Sequence, residues 1–338
     1  RGVQALGTAI TQNVMMIQGS MVLGVGAMLT LVGALPAYMA GNLIIAKFIG
    51  ALAIRPMMMI IMSWSQVAAF RYAYDEIKEL FKEIDEDKTD NIALPKPKGF
   101  LKVQGVTKVS SSGKRILHKI NFTAVPKSIT SVIGESGAGK TTLATLLCGI
   151  DKPTDGIIRL DEAEIYKWNK NELSTSIGYL PQNIELFGGS IASNISRFDE
   201  PDINLLRDAC EKADLLSLFE SFEKGEDPVI DADSLSLSNG MKQKIGLARA
   251  FYGSPNFIVL DEPTSKLDSQ SEKKFLDAVR RLKDEGACII IITHNSKIIR
   301  SSDNILMIGA GEQKLFDSKE NVFSKIRATI ENGQKNNN

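Results

Sequence analysis

The 338-residue chain carries 40 basic and 40 acidic side chains with 43% hydrophobic residues, and its mean hydropathy is −0.03. Zero net charge excludes bulk electrostatic capture of nucleic acid, and the apolar content excludes a long disordered chain. The averages conceal a division, because residues 1–70 hold three charges (Arg1, Lys47, Arg55), no acid, and nine of the eleven methionines.

Residues 2–46 pass without a charge, and Val14–Leu35 is long enough at about 1.5 Å per residue to cross a ~30 Å hydrocarbon core. Its glycines and Ser20 suit close helix–helix contact in lipid. A signal peptide is disfavoured, since no basic region precedes a short apolar one and a second apolar stretch follows. Gly33-Ala34-Leu35-Pro36 reads as a turn, and Ala40–Phe70 as a second apolar helix carrying Lys47, Arg55 and Pro56. The two cations either snorkel to an interface or face a polar pathway between helices. Phe70, Tyr74, Ile77, Leu80, Phe81 and Ile84 then recur at helical spacing against a charged opposite face. This predicts an amphipathic helix over 66–84 that emerges into water. Pro95 and Pro97 end any helix beyond it, so residues 85–98 read as a linker.

From Phe100 onward, short β-rich runs alternate with helical ones, the pattern of an α/β domain. The apolar strand Ser128–Ile133 leads into Gly134-Glu135-Ser136-Gly137-Ala138-Gly139-Lys140-Thr141, followed by Thr142 and a helical run. This is the phosphate-loop spacing in its required strand–helix context. Glycines let the backbone curl so that N–H groups and a helix N-terminus face phosphate oxygens. Lys140 would neutralise the β/γ-phosphates and the Thr141 hydroxyl would ligate Mg²⁺. The apolar strand Phe257–Leu260 ends in Asp261 and Glu262, the first placed to hold Mg²⁺ and the second to orient or deprotonate a water. General-base assistance is worth about 10²–10⁴-fold. A further β-run, Cys288–Thr293, ends at His294, where an imidazole can contact the γ-phosphate and fix the water. Cys148, Cys210 and Cys288 lack paired spacing, which excludes a disulfide framework or a zinc site; His118 and His294 are the only histidines.

The order of a phosphate loop, Gln182 in YLPQ, LSNG at Leu237–Gly240, VLDEP, SKLD and ITH resembles the ATP-binding cassette (ABC) ATPase family over residues 100 to about 315. The resemblance implies two copies closing on two ATP molecules. Ser238, Asn239 and Gly240 would meet the nucleotide of the opposite copy, Gln182 would sense Mg²⁺ and the water, and Ser265 and Asp268 would cross the interface. Asn239 and Met241 stand in place of the family's glycine and glutamine, and Lys266 in place of a small residue. The aromatic that commonly stacks on adenine is missing, with Val109 or a neighbour in its place.

Membrane helices fused ahead of the cassette resemble an exporter rather than an importer. Residues 40–56, 93–106 and 178–198 resemble the type I protein-secretion branch that exports proteases and lipases. The expected fold is an α-helical transmembrane segment of two helices followed by an α/β P-loop ABC ATPase domain. Residues 1–84 would be the C-terminal part of the transmembrane domain, 85–98 a linker, 99–330 the nucleotide-binding domain and 331–338 a disordered tail. The implied partners are a second copy, a periplasmic membrane-fusion adaptor, an outer-membrane channel and a protein cargo, with no nucleic acid. The implied location is the bacterial inner membrane, multi-pass, with the ATPase domain in the cytoplasm. The family carries more membrane helices per subunit than the two visible here, and the chain starts at Arg1, so it is expected to be the C-terminal portion of a longer polypeptide. Rival readings are a lipid or drug exporter and, outside enzymes, an ATP-gated channel or regulatory binding module.

Overall fold

A computed structural model describes residues 2–36, 38, 40–86, 95–223, 229–230 and 237–325. The expected tail (331–338) and residues 87–94 of the expected linker lie outside the described residues. The chain divides into two compact units, residues 1–89 and 90–338.

In the first unit, helix α1 (Gly2–Leu31) and helix α2 (Ala40–Glu86) are joined by a turn through Gly33. The first helix therefore begins well before Val14 and ends at Leu31 rather than Leu35. Amides of Ala34 and Leu35 both fold back onto the Leu29 carbonyl and stop it there. The helices meet where one of them has no side chain. A Cβ at Gly26 would lie 2.2 Å from Leu43 Cδ2, and one at Gly50 would lie 2.1 Å from Gln18 Nε2. Lys47 runs its stem over Gly19, where a Cβ would stand 2.9 Å from Cε. Small residues thus set the approach, as they do between helices in lipid.

Among the described residues, one helix, Gln12–Leu31, is long and apolar enough to cross a membrane. The apolar run of α2 is Gly41–Ala53, shorter than a crossing. Two membrane helices were expected, the second interrupted by Lys47 and Arg55; among the described residues the first meets the length and composition of a crossing. Beyond Pro56, α2 continues unbroken as the expected extension, with Phe70, Tyr74, Ile77 and Phe81 exposed along it.

The second unit is built on strands β1 (Leu101–Val109), β2 (Arg115–Ala124), β3 (Ser128–Gly134), β4 (Asp155–Leu160), β5 (Ala163–Glu164), β6 (Ile177–Leu180), β7 (Gly189–Ser190), β8 (Val229–Ile230), β9 (Phe257–Asp261), β10 (Cys288–Ile292), β11 (Asn304–Gly309) and β12 (Glu312–Ser318). Its helices are α3 (Lys140–Leu147), α4 (Lys170–Ser176), α5 (Ile191–Ile195), α6 (Ile203–Lys212), α7 (Leu216–Glu223), α8 (Asn239–Phe251), α9 (Ser269–Glu285) and α10 (Ser296–Ser301). Ten strands form one sheet in the order β5-β4-β1-β2-β12-β11-β3-β10-β9-β6. The run from β11 to β6 is parallel, and β1, β2, β4 and β5 pair antiparallel at the other end. The chain is tied to this sheet from Pro97, whose carbonyl accepts from Asn256 Nδ2 at 2.9 Å.

Side chains alternate across the parallel strands into two cores. Val132, Val259, Ile290 and Leu306 pack with α3 and the antiparallel strands. Ile129, Leu260, Ile289 and Ile291 pack against α6, α8 and α9. Strands covered on both faces need apolar residues at every position, which is why β9 and β10 read as continuous hydrophobic runs. Ile290 is 0% exposed, so Ile290→Ala should cost about 2–5 kcal/mol in denaturant titration followed by circular dichroism. Val125→Ala, at a residue 43% exposed, should stay within about 0.5 kcal/mol.

Candidate nucleotide-binding and hydrolysis site

The loop leaving β3 turns into α3 at Gly139, whose φ is 91°. A Cβ there would lie 2.7 Å from Leu117 Cδ2 and 3.0 Å from the Ile116 carbonyl, so both conformation and space require glycine. No side chain caps α3, which leaves its first amides directed at whatever lies beyond the loop. Lys140 is nearly buried and donates to the Gly134 carbonyl at 2.7 Å and the Glu135 carbonyl at 2.8 Å. Its charge is held inside the curl of the loop.

Thr141 Oγ1 donates to Asp261 Oδ2 at 2.7 Å, joining the start of α3 to the end of β9. Asp261 is buried, and burial raises its carboxyl above the ordinary value against the opposing pull of Thr141 and Lys140. A hydroxyl and a carboxylate this close suit a hard divalent cation such as Mg²⁺, which takes oxygen ligands and keeps several waters. Among the described residues no group of three or more His, Cys, Asp or Glu side chains could hold a metal ion by itself. A cation here would draw on Thr141, Asp261 and Gln182 of the same cavity, with phosphate and water completing its ligands.

Glu262 follows in the left-handed region, at a φ of 51°. Its amide donates to the Ile292 carbonyl at 2.9 Å. Its own carbonyl receives Ser265 N at 3.3 Å, Ser265 Oγ at 3.1 Å and Gln243 Nε2 at 3.3 Å. The side chain ends 3.7 Å from His294 Nε2, whose imidazole is 60% exposed. Burial raises the Glu262 carboxyl; His294 and Lys140 oppose the rise, and the neighbouring Asp261 charge adds to it.

These groups surround one cavity of about 620 Å³. Ser136, Gly137, Gly139, Lys140, Thr141 and Thr142 line its phosphate-loop side, and Gln182, Asp261, Glu262, Ser265 and His294 line the rest. Gly134 and Glu135 sit behind the loop as acceptors for Lys140. Ala138 is buried in the core instead of facing the cavity. Asp268 stands off it as the N-cap of α9, accepting from Ser271 N at 2.8 Å. Ser238, Asn239 and Gly240 are not among the lining residues. Ser238 caps α8, taking the Met241 amide at 3.2 Å.

Three lining residues had no role in the sequence reading: Ile116, Asn183 and Lys266, the last noted there only as a departure. Ile116 supplies an apolar wall beside the loop. Its signal, a β-branched residue opening a strand, is too common to single out. Gln243 was also missed. It is buried on α8 and donates to the Pro263 carbonyl at 2.8 Å as well as to Glu262.

Residues 117–265 match the family model described as ABC transporter. The chain is 33% identical over 320 residues to a type I secretion system ATP-binding protein, PrsD, of Rhizobium meliloti (strain 1021); the match covers 94% of this chain and 54% of that protein. It is 34% identical over 196 residues to an ATP-dependent lipid A-core flippase of Burkholderia orbicola (strain AU 1054), covering 58% of this chain and 33% of the relative. A solved bacterial Atm1-family ABC exporter with ATP bound superposes with a TM-score of 0.66 at 26% identity, over 85% of this chain and 51% of that one. The chain thus spans from a third to about half the length of the relatives and structure it matches. A phosphate loop, an acidic strand end and a histidine strand end converge on one cavity, within a fold shared with an ABC exporter. The chain therefore belongs to the ABC transporter family and carries that family's ATPase domain behind a helical segment.

Proposed function

We propose that this chain is the ATP-hydrolysing end of an exporter subunit that works as a pair of copies, and that its task is type I secretion of proteins. The observation that carries the ATPase reading is the convergence of Lys140, Thr141, Gln182, Asp261, Glu262 and His294 on one cavity. Lys140 neutralises the β- and γ-phosphates. Thr141 and Asp261 hold Mg²⁺, which when bound offsets phosphate charge. Glu262 takes a proton from the attacking water as its oxygen bonds to the γ-phosphorus and the bond to ADP breaks, giving ADP and phosphate. The raised carboxyl suits that role, because a base holds its proton best when its affinity lies nearer the working pH. His294 fixes the water and the γ-phosphate from the other side, and Gln182 monitors both.

Ser238, Asn239 and Gly240 begin a helix away from their own chain's cavity, which suits contact with nucleotide held by a second copy. Ser265 and Asp268 would lie on that shared face. Length of match favours protein secretion: the secretion relative aligns over 94% of the chain, helices included. The flippase aligns over 58%, little more than an ATPase domain. Secretion of this kind places the subunit in a bacterial inner membrane with the ATPase domain in the cytoplasm. Its partners there are a periplasmic adaptor, an outer-membrane channel and a protein cargo. A lipid exporter is the second reading, since flippases share the same domain at similar identity.

Glu262→Gln should lower Mg²⁺-dependent phosphate release by about 10²-fold or more while leaving ATP binding within a few-fold. Unchanged release would remove the general-base role. Because burial raises the Glu262 carboxyl, it stays protonated to a higher pH than an ordinary glutamate. Turnover should therefore fall on acidification at a pH above about 4.3, and the residual activity of Glu262→Gln should lack that limb. For the cargo, ATPase stimulation by C-terminal peptides of secreted proteins should exceed stimulation by lipid A-core. The reverse order would favour the lipid reading.

A further inference from the structure

Asp214 occupies the turn between α6 and α7 in a left-handed conformation, φ 58°. Its carboxylate reaches two other helices. Lys244 Nζ of α8 donates at 2.6 Å, Lys274 Nζ of α9 at 2.5 Å, and Ser271 Oγ of α9 at 3.0 Å. Partial burial raises the Asp214 carboxyl, but these three donors outweigh it and bring the group down to about 2. The residue is therefore an anion throughout the neutral range. Ser271 is 3% exposed and serves a second carboxylate: its amide donates to Asp268 Oδ1 at 2.8 Å, and its single hydroxyl proton is shared between Asp214 and Asp268 Oδ2, the latter at 3.2 Å.

A continuous chain of charge-assisted bonds thus runs from Lys244 on α8 through Asp214 and Ser271 to Asp268. The same helix comes close to this stretch at Gly240, where a Cβ would stand 3.2 Å from the Lys266 carbonyl, and Gln243 ties it just upstream by donating to the carbonyls of Glu262 and Pro263. Without the anion, Lys244 and Lys274 would be like charges facing one gap.

We propose that Asp214 is a positioning residue that fastens the helix beginning at Ser238–Gly240 to the Ser265–Asp268 segment, so that both faces offered to a second copy move as one body with Glu262. The proposal rests on the two-copy reading above and adds the device that keeps the two faces aligned. Partly exposed ion pairs contribute little stability, so the clamp governs alignment more than folding.

The test uses the 338-residue chain in detergent. Asp214→Asn should speed hydrogen exchange of amides 240–244 and 266–272 together, by about tenfold, and leave amides 140–147 and ATP-analogue binding unchanged. Asp214→Glu should restore both segments. In the Glu262→Gln background, where ATP should accumulate the paired form, adding Asp214→Asn should abolish pairing in gel filtration. Lys274→Met, at a side chain 52% exposed, provides the same readout with smaller amplitude should Asp214→Asn fold poorly. Exchange unchanged at both segments, loosening of only one, or undiminished pairing would overturn the clamp. Failure of the Glu262→Gln single variant to pair would instead count against the two-copy reading, with the exchange result still deciding the clamp.

Discussion

Ile292 of β10 pairs with Val132 of β3 on one side and with Asp261 of β9 on the other. That single rung levels the carboxyl ends of three parallel strands, and everything chemical in the second unit emerges just beyond it. The phosphate loop leaves from β3, Glu262 follows Asp261, and His294 follows the end of β10. Side chains alternate, so a slip of one residue would turn Asp261 away from Thr141 and send every apolar residue of β10 to the opposite core. Packing on both faces forbids the slip. The residues of β9 and β10 are almost fully buried, and burial contributes about 1.5–3 kcal/mol per large side chain. The site's geometry is therefore a consequence of the core.

Glu262 is the place where the backbone departs from its comfortable range. A non-glycine residue in the left-handed region costs on the order of 1–3 kcal/mol and persists only where its surroundings fix it. Here the amide is taken by Ile292 and the carbonyl by Ser265 and Gln243. Those bonds aim the carboxylate into the cavity beside His294. The same Gln243 belongs to the helix that starts at Ser238–Gly240, so the strained residue and the surface offered to a second copy share one support.

The helical unit obeys a different solvent. Its exposed surface up to Phe70 is largely apolar, and its inner contacts depend on glycines that admit Leu43, Lys47 and Gln18 side chains. Lys47 resolves part of the ambiguity its position created: its stem lies on α1 at Gly19, on the inner side of the helix pair. The neutral charge balance of the whole chain is thus the sum of residues 1–70, which hold three charges, and a remainder dense in them.

Much of this was legible without coordinates because it is local. A phosphate loop needs its glycines and lysine within one turn of chain. A doubly covered strand must be apolar throughout. The change in composition at residue 70 falls inside α2, and Pro95 and Pro97 mark the linker beyond that helix. What the tertiary structure decided involves residues far apart in sequence. Ile116 lines the cavity because β2 lies against the loop at Gly139. Asp268, an exposed residue, caps α9 by accepting the Ser271 amide. Gln243 and Asp214 become supports only once α8, α9 and the α6–α7 turn are packed together. The second apolar stretch reads as a span by length, and among the described residues its apolar helical run is Gly41–Ala53, with Lys47 inside it. Local pattern specifies which backbone shapes and faces a segment can adopt. Which distant side chains share a hydrogen bond depends on how those segments pack, and periodicity carries no record of that.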